Sequence, residues 1–266
     1  WIKVAGMSCK EAYITMVTSD SYLMGALVLA HSILKTQDKS NQRPICCMVT
    51  DEVSADSRKA LEQAGLRIIM VESISSKESS GIDAWDQSGY TKLNIWKLTE
   101  FSKLVYVDAD CLVMESIDDL FSRETRFAAA PDTFPPDRFN AGVLVVEPSL
   151  EVFEDMISRI GVMHSYDGGD TGFLNSYFHD WFTMGEASRL PFRYNALRTM
   201  YWLTQKKPGY WNAVGAVRCL HFCSFPKPWD QAPKGELEQK WWVAFAECQL
   251  MLRIKGVSTP TLKKQG

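Results

Sequence analysis

The first third of the chain alternates between short apolar runs and amphipathic segments, and this alternation restricts the possible folds more than any other feature. Residues 12–18, 44–50 and 66–71 have strand character, whereas residues 22–35 and 54–63 have helix character, and the second helix starts with an N-cap serine. Strands joined through helices pair in parallel. The sequence therefore predicts an α/β fold built on a mostly parallel sheet.

The same kinds of segment continue along the chain. We predict further strands at residues 104–107, 127–130, 141–146 and 217–220, and further helices at residues 91–101, 150–160, 171–178 and 237–250. Residues 72–89 are rich in Ser, Gly and charge and are interpreted as a long loop or lid. No linker of disordered composition and no internal repeat divides the chain. One domain is therefore expected over residues 12–254, between an extension or vector remnant at 1–11 and a polar tail at 255–266.

Composition and charge exclude several classes of protein. A net charge of −3 and scattered Lys and Arg residues give no basic surface for DNA or RNA, so nucleic acid is not an expected partner. No apolar stretch approaches the ~20 residues of a membrane-spanning helix, and the first residues lack the order of a secretory signal. The seven cysteines have no framework spacing and are interpreted as reduced core thiols, so a cytoplasmic location is expected.

Two carboxylates stand directly after the apolar run at residues 104–107. Asp108 and Asp110 occupy the end of this predicted strand, where open α/β sheets bind ligands. Neighbouring carboxylates repel unless a cation lies between them, and a hard cation held by few protein oxygens keeps positions for phosphate oxygens. The pattern favours a metal site for a nucleotide diphosphate, and a solvated acidic turn is the alternative interpretation of so short a motif.

A series of short blocks, in fixed order between residues 12 and 229, carries a family resemblance. The blocks are AYIT with TSDSY at 12–22, GALVL at 25–29, TKL at 91–93, VDAD at 107–110, IDDLF at 117–121, AAPD at 129–132, FNAGV at 139–143, DGGD at 167–170, LPF with YN at 190–195, and HF with KPW at 221–229. With these blocks the chain resembles the glycogenin-type members of glycosyltransferase family 8. The resemblance implies a single-domain, Rossmann-like fold of the GT-A type, with a mixed, mostly parallel central sheet and flanking helices, a UDP-sugar donor and Mn²⁺.

The resemblance implies that Asp108, Asp110 and His221 bind the metal. An imidazole beside two carboxylates suits Mn²⁺ better than Mg²⁺, which prefers oxygen ligands. Two other interpretations stay open. His221 alone would be a core histidine, and Cys219, His221 and Cys223 alternate as zinc ligands can, although no second ligand pair stands at zinc-finger spacing.

The resemblance also implies which residues hold the rest of the donor. The implied contacts are Thr18, Ser19 and Tyr22 for uridine and ribose, Asp132 and Asn140 for the donor-sugar hydroxyls, Lys92 and Lys227 for leaving-group charge, and Ala109, Ala141 and Ser224 as further contacts.

Asp167 and Asp170, on either side of a Gly-Gly turn, form the implied catalytic group together with Lys92. The family retains the anomeric configuration, and Asp170 is expected near the anomeric carbon. There it would either form a covalent intermediate or stabilise an oxocarbenium-like transition state, and the sequence leaves both routes open. A helix N-cap is the structural alternative for Asp170.

Four departures from the glycogenin pattern concern the acceptor. Thr171 stands where glycogenin has Gln, Ser224 and Phe225 replace a small residue, Trp202 occupies the position of the self-glucosylated tyrosine, and no long linker with a synthase-binding segment follows. Tyr201 is one residue out of register, so its side chain is expected to point elsewhere. We therefore expect a separate acceptor and no self-glucosylation.

In lacking that tyrosine, the chain is similar to the protist cytosolic α-galactosyltransferases that act on the hydroxyproline-linked glycan of the SCF ubiquitin ligase adaptor subunit. We therefore expect a glycan or glycoprotein acceptor and favour UDP-galactose over UDP-glucose as the donor. A self-glucosylating glycogen primer, a galactinol synthase-like transferase and a nucleotide-sugar-binding scaffold without activity remain alternatives. A homodimer is expected by analogy with glycogenin, and Trp202, Trp211 and Trp229 are either sugar-stacking faces or packing residues.

Overall fold

The computed structural model describes residues 10–75, 89–133, 135, 137–204 and 208–257. Its first part has the predicted βαβαβ order, formed by β1 (Glu11–Val17), α1 (Leu23–Thr36), β2 (Ile45–Val49), α2 (Ala55–Ala64) and β3 (Arg67–Met70). The predicted N-cap serine is confirmed, because Ser54 Oγ accepts a hydrogen bond from Ser57 N at 3.2 Å. Helix α2 stops at Gly65, whose φ of 101° lies in the left-handed region that glycine adopts most easily.

The predicted mostly parallel sheet is also confirmed. Six strands lie in the order β3-β2-β1-β4-β7-β6, where β4 is Lys103–Val107, β6 is Phe127–Pro131 and β7 is Phe139–Val146. The strands from β3 to β4 pair in parallel, whereas β7 pairs antiparallel with both β4 and β6. All residues of β2 are buried, as expected for a strand covered on both faces.

A second, three-stranded sheet brings a distant part of the chain to the end of β4. Its order is β5-β9-β8, where β5 is Cys111–Val113, β8 is Ala196–Leu197 and β9 is Cys219–His221. Strand β5 follows Asp110 directly and pairs antiparallel with β9, so that Cys111 lies opposite His221. The strand predicted at 217–220 thus ends one residue later, with His221 as its last residue.

The remaining helices surround the two sheets. They are α3 (Leu150–Arg159), α4 (Asp170–Tyr177), α5 (Arg198–Thr204), α6 (Pro208–Ala213) and α7 (Glu236–Ile254). The helix predicted at 91–101 is wrong in type and length, because Thr91–Lys97 forms a 3-10 helix. Its first six residues are all buried, so it has no polar face with the period of an α-helix. Most of the loop or lid predicted at 72–89 lies outside the described residues.

The core lies on both faces of the large sheet, and β4 contributes to each. Val105 and Val107 pack into the core beneath α1 and α2, whereas Leu104 and Tyr106 pack into the aromatic core on the opposite face. This alternation continues beyond the end of the strand and places Asp108 on the side of Tyr106.

Two further expectations concern membrane-spanning helices and the state of the cysteines. Within the described ranges, no helix combines the length and apolar character required to cross a membrane. The cysteines of the described ranges, six of the seven in the chain, carry thiols and form no disulfide. The interpretation as reduced thiols stays a prediction, with which the burial of five of these six side chains agrees.

Candidate active site

The two aspartates predicted as metal ligands lie at the C-terminal end of β4. The Tyr106 hydroxyl donates to Asp108 Oδ1 at 2.5 Å, and Asp108 N donates to Gly142 O at 2.8 Å. Cys111 N donates to Asp108 O at 3.0 Å and closes the turn that holds Asp110. The side chain of Asp108 is 24% exposed and that of Asp110 only 8%. The turn therefore presents one accessible and one covered carboxylate at the sheet edge.

His221 joins these carboxylates in space. Its Nε2 lies 3.3 Å from Asp110 Oδ1 and 3.9 Å from Asp108 Oδ2. The thiol of Cys111 also lies within 4.8 Å of ligand atoms of Asp110 and His221. Burial raises the pKa of this thiol well above its ordinary value, so the uncharged form is favoured while no cation lies beside it. Asp110, Cys111 and His221 thus form the tightest group, and Asp108 joins it through His221 Nε2.

A chain of hydrogen bonds fixes which nitrogen of His221 faces the carboxylates. Gly142 N, which can only donate, bonds to Asn140 Oδ1 at 2.9 Å, and Asn195 Nδ2 donates to the same oxygen at 2.9 Å. Asn195 Oδ1 is therefore turned to His221 Nδ1, 2.8 Å away, and accepts its proton. This network places a proton on Nδ1 and directs Nε2 at Asp108 and Asp110.

Lys92 is buried between two carboxylates. Its Nζ lies 3.2 Å from Asp108 Oδ1 and 2.5 Å from Asp170 Oδ2, and it donates to Ala141 O at 3.1 Å. Burial lowers the pKa of Lys92, but Asp108 and Asp170 outweigh burial and hold that pKa above its ordinary value. The ammonium therefore stays charged and gathers three other predicted site residues around it.

Lys227 performs the matching role at Asp110. Its Nζ lies 2.5 Å from Asp110 Oδ2 and donates to Phe222 O at 3.1 Å. Burial raises the pKa of the Asp110 carboxyl, but His221 and Lys227 outweigh burial and hold that pKa below its ordinary value. Asp110 is therefore ionised, and each of the two aspartates has one lysine beside it.

The two aspartates of the Gly-Gly turn have different surroundings. Asp167 Oδ1 accepts hydrogen bonds from Gly169 N and Gly172 N, both at 2.9 Å, and thus caps the start of α4. The N-cap interpretation of Asp170 is wrong, because Gly169 is the N-cap and Asp170 is the first helical residue. Burial raises the pKa of Asp170 in spite of its contact with Lys92. Asp170 is therefore directed at the site, and a catalytic role for Asp167 stays a prediction.

The residues predicted to hold the nucleotide border the same sheet edge, because β1 and β4 are parallel neighbours. Thr18 and Ser19 follow β1, and the Tyr22 ring lies 5.7 Å from that of Trp229 in an edge contact. A Cβ on Gly25 would lie 2.5 Å from Ala109 O and 2.6 Å from Trp229 Cη2. Glycine at position 25 therefore permits the close approach of Trp229 and of the Ala109 carbonyl.

The predicted donor-sugar residues lie on β6 and β7. Asp132 follows β6, accepts from Thr133 N at 2.6 Å and is hydrogen-bonded to Asn140 of β7. Burial raises the pKa of Asp132 above its ordinary value. The Asn140 side chain therefore serves three neighbours: Asp132, Gly142 N and the Asn195 amide that orients His221.

Ser224 has a partner that the sequence did not suggest. The buried Arg198 guanidinium donates to Ser224 O at 2.6 Å, to Ser224 Oγ at 2.9 Å and to Pro226 O at 3.0 Å. It also pairs with Glu238 Oε1 at 3.1 Å. We call residues 222–227 the clamp loop, because Arg198 holds this loop and Lys227 stands at its end.

Sequence reasoning missed Tyr106, Asn195 and Arg198 as parts of the site. Asn195 stood inside a block of the resemblance, which was the available signal, but no role was inferred for it. Tyr106 reads as a strand residue, and Arg198 lies in no block. The roles of Asn195 and Arg198 depend on partners far away in the chain, whereas Tyr106 bonds to Asp108 only once the turn after the strand has formed.

The donor set fits a divalent cation. His221 Nε2 lies within 4 Å of both the Asp108 and the Asp110 carboxylate, and neighbouring carboxylates repel unless positive charge lies nearby. Lys92 and Lys227 offset part of this repulsion at Asp108 and Asp110, respectively. Asp108, Asp110 and His221 would hold the ion, and the Asn195 contact at Nδ1 is the outer support that histidine ligands normally have.

Comparison with known proteins agrees with this geometry. Residues 13–232 match the family described as Glycosyl transferase family 8. The chain belongs to this family. It is 36% identical over 238 residues to Glycogenin-1 of Caenorhabditis elegans, with 87% of this chain and 54% of that protein covered. It is 37% identical over 224 residues to human Glycogenin-1, with 83% and 62% covered.

The chain is also similar to relatives that are not named glycogenin. The chain is 32% identical over 258 residues to inositol phosphorylceramide glucuronosyltransferase 1 of Arabidopsis thaliana, which covers 90% of this chain and 44% of that protein. The family 8 chain thus spans about half to two thirds of the length of these curated relatives.

Solved structures confirm the predicted GT-A fold. The galactosyltransferase LgtC, crystallised with donor and acceptor sugar analogues, superposes with a TM-score of 0.66 at 17% identity and covers 91% of this chain and 99% of that one. The glycosyltransferase GlyE of Streptococcus pneumoniae TIGR4 superposes with a TM-score of 0.64 at 21% identity, with 96% and 67% covered.

Proposed function

We propose that this family 8 chain is a metal-dependent, retaining hexosyltransferase that moves a hexose from a UDP-sugar to a separate glycan acceptor. The observation that carries the proposal is the convergence of the Asp108 and Asp110 carboxylates with His221 Nε2, beside the ammonium groups of Lys92 and Lys227. A divalent ion held there, Mn²⁺ in our proposal, would supply Lewis-acid charge at the diphosphate leaving group. The two lysines would offset the remaining charge that grows on it.

Asp170 is the proposed stabiliser of positive charge at the anomeric carbon. Its carboxylate lies 2.5 Å from Lys92 and so belongs to the same cluster as Asp108. Tyr22, Thr18 and Ser19 would hold the nucleotide, with Ala109, Ala141 and Ser224 as further contacts. On the sugar side, the proposed contacts are Asp132 and Asn140.

The finer assignments rest on the resemblance noted in the sequence. UDP-galactose is the first donor in the proposal and UDP-glucose the second, and the acceptor is the hydroxyproline-linked glycan of the SCF adaptor subunit, in the cytoplasm. A homodimer belongs to the same proposal. The identity of 36% and 37% to two glycogenins supports a second candidate, a self-glucosylating primer.

Donor hydrolysis without an acceptor tests the proposal directly. We expect chelator-treated protein to release UDP from one UDP-hexose of a panel only when Mn²⁺ is added. Asp110→Ala and His221→Ala should weaken metal binding by ~10-fold or more and turnover by more. Asp56→Ala and His179→Ala, at exposed positions, are the matched controls. Full activity of either ligand variant in chelator-treated buffer would contradict the metal site, and donor binding without turnover would favour the scaffold.

A further inference from the structure

Helix α5 borders the candidate site on two sides. At its start, Thr199 Oγ1 lies 3.2 Å from Thr133 Oγ1, next to the proposed donor-sugar residue Asp132. Its first residue, Arg198, holds the clamp loop through the contacts with Ser224 and Pro226. Side chains on the Thr199 face of α5 therefore lie between the donor-sugar side and the leaving-group side of the site.

Trp202 lies on this face, one turn after Thr199. Its ring centroid is 4.5 Å from the Arg198 guanidinium carbon, and the residue is 41% exposed. The buried guanidinium covers one face of the indole and fixes it, so the exposed area belongs to the rest of the ring. A rigid aromatic face at the edge of a site binds a ligand at little entropic cost.

Phe225 provides a second exposed ring on the clamp loop. It is 66% exposed, and its ring centroid lies 4.7 Å from Lys227 Nζ, the ammonium that pairs with Asp110. Arg198 bonds to the residues on both sides of Phe225. Trp202 and Phe225 are therefore both attached to one buried cation at the border of the site.

We propose that Trp202, together with Phe225 of the clamp loop, is the stacking platform for a sugar ring of the acceptor. A pyranose combines an apolar C–H face with a rim of hydroxyls, and this region offers aromatic faces together with the Thr133 and Thr199 hydroxyls. The inference rests on the proposed function, because an acceptor must approach beside the donor sugar.

Acceptor kinetics in Trp202 variants test the platform. With the donor that is hydrolysed best, we expect Trp202→Leu to raise the KM for the best acceptor among maltotriose and a panel of methyl glycosides by about 3- to 10-fold, the loss of one aromatic stack. Trp202→Phe should bring the acceptor KM most of the way back to the wild-type value. Donor hydrolysis should stay within about twofold of wild type in both variants. Phe182→Leu is the matched control, since Phe182 is 50% exposed and contacts Trp181 and Arg189.

Each other outcome counts against the platform. An unchanged acceptor KM in Trp202→Leu overturns it, and an equal loss of donor hydrolysis would show that Trp202 acts only by supporting Arg198. Intact hydrolysis without transfer to any glycoside of the panel would contradict a sugar-binding surface while leaving the proposed function in place. Absence of hydrolysis by the wild type would overturn both.

Discussion

One hydrogen bond on the far side of the His221 ring decides which nitrogen faces the carboxylates. Asn195 Oδ1 accepts a hydrogen bond from Nδ1–H of His221, because the amide nitrogen of Asn195 donates to Asn140. The ring is therefore held with Nε2 towards Asp108 and Asp110. Preorganisation of this kind lowers the cost of binding a metal.

We expect Asn195→Leu to weaken Mn²⁺ binding by about 10- to 100-fold, because the ring then lacks the partner that fixes its proton and its orientation. Titration of free Mn²⁺ by electron paramagnetic resonance measures this without reference to turnover. Gln37→Leu removes another buried amide, at the end of α1, and should leave Mn²⁺ affinity unchanged. Equal affinity in Asn195→Leu and wild type would contradict the orienting role.

At Asp170 the charge matters more than the shape. Asp170→Asn keeps size and hydrogen-bonding capacity but removes the carboxylate that lies beside Lys92. We expect kcat for donor turnover to fall by about 10²-fold or more, with a small change in donor affinity, because charge is lost where the transition state is positive. Asp155→Asn, in an exposed pair with Arg159, is the control. A kcat equal to that of wild type with both UDP-galactose and UDP-glucose would remove Asp170 from the mechanism.

Among the elements, the pairing of β5 with β9 and the packing of β7 beside them build the metal side of the site. β5 starts at the residue after Asp110, and β9 ends at His221, so the antiparallel register sets their separation. Strand β7 lies against the His221 ring at Gly142, where a Cβ would be 2.3 Å from His221 Cε1. The strand can pass this closely only because position 142 has no side chain.

Gly142→Ala should therefore displace the imidazole while the sheet stays intact. We expect a loss of Mn²⁺ binding of about 10-fold or more, together with destabilisation of about 1 to 3 kcal/mol from overpacking. Mn²⁺ titration and thermal unfolding of the same samples separate the two effects. Gly209→Ala is the matched control, because nothing lies within 4 Å of a Cβ at that position. Normal Mn²⁺ affinity in Gly142→Ala would show that Mn²⁺ binding does not depend on the observed position of the His221 imidazole.

On the scale of the whole molecule, the direction of neighbouring side chains on α5 decides whether the chain can modify itself. Trp202 is directed at the clamp loop, whereas Tyr201 packs against Trp211 at 5.2 Å and its hydroxyl is hydrogen-bonded to Glu236 of α7. These two residues therefore serve opposite sides of the helix. The Tyr201 hydroxyl, next to the expected attachment position, is thus engaged with α7.

Incubation with UDP-glucose or UDP-galactose and Mn²⁺ should leave the intact mass of the chain unchanged, because an indole offers no hydroxyl nucleophile and Tyr201 is held by α7. A small α-glucoside added to the same buffer should be elongated. Tyr201→Phe is the control, and it should likewise show no hexose additions to its own mass. A ladder of hexose additions that Tyr201→Phe abolishes would instead establish self-glycosylation.

The order and type of most elements followed from the sequence, because burial patterns repeat locally. The strands predicted at 12–18 and 44–50 were found as Glu11–Val17 and Ile45–Val49. The α-helix predicted at 91–101 was wrong because this prediction, too, depends on a local burial pattern. Residues 91–96 are all buried, so their local pattern carries no period that distinguishes an α-helix from a 3-10 helix.

By itself the sequence determined the α/β order, the acidic turn after β4 and, through the blocks of the resemblance, the metal-ligand candidates Asp108, Asp110 and His221. Only the tertiary structure decided that His221 points Nε2 at the carboxylates, that Lys227 pairs with Asp110 across 117 positions, and that Arg198 holds the clamp loop. The physical reason is the separation along the chain over which each kind of interaction acts. Periodicity and capping act within a few residues, whereas ion pairs, amide orientation and ring stacking depend on partners that the chain brings together only when the two sheets form.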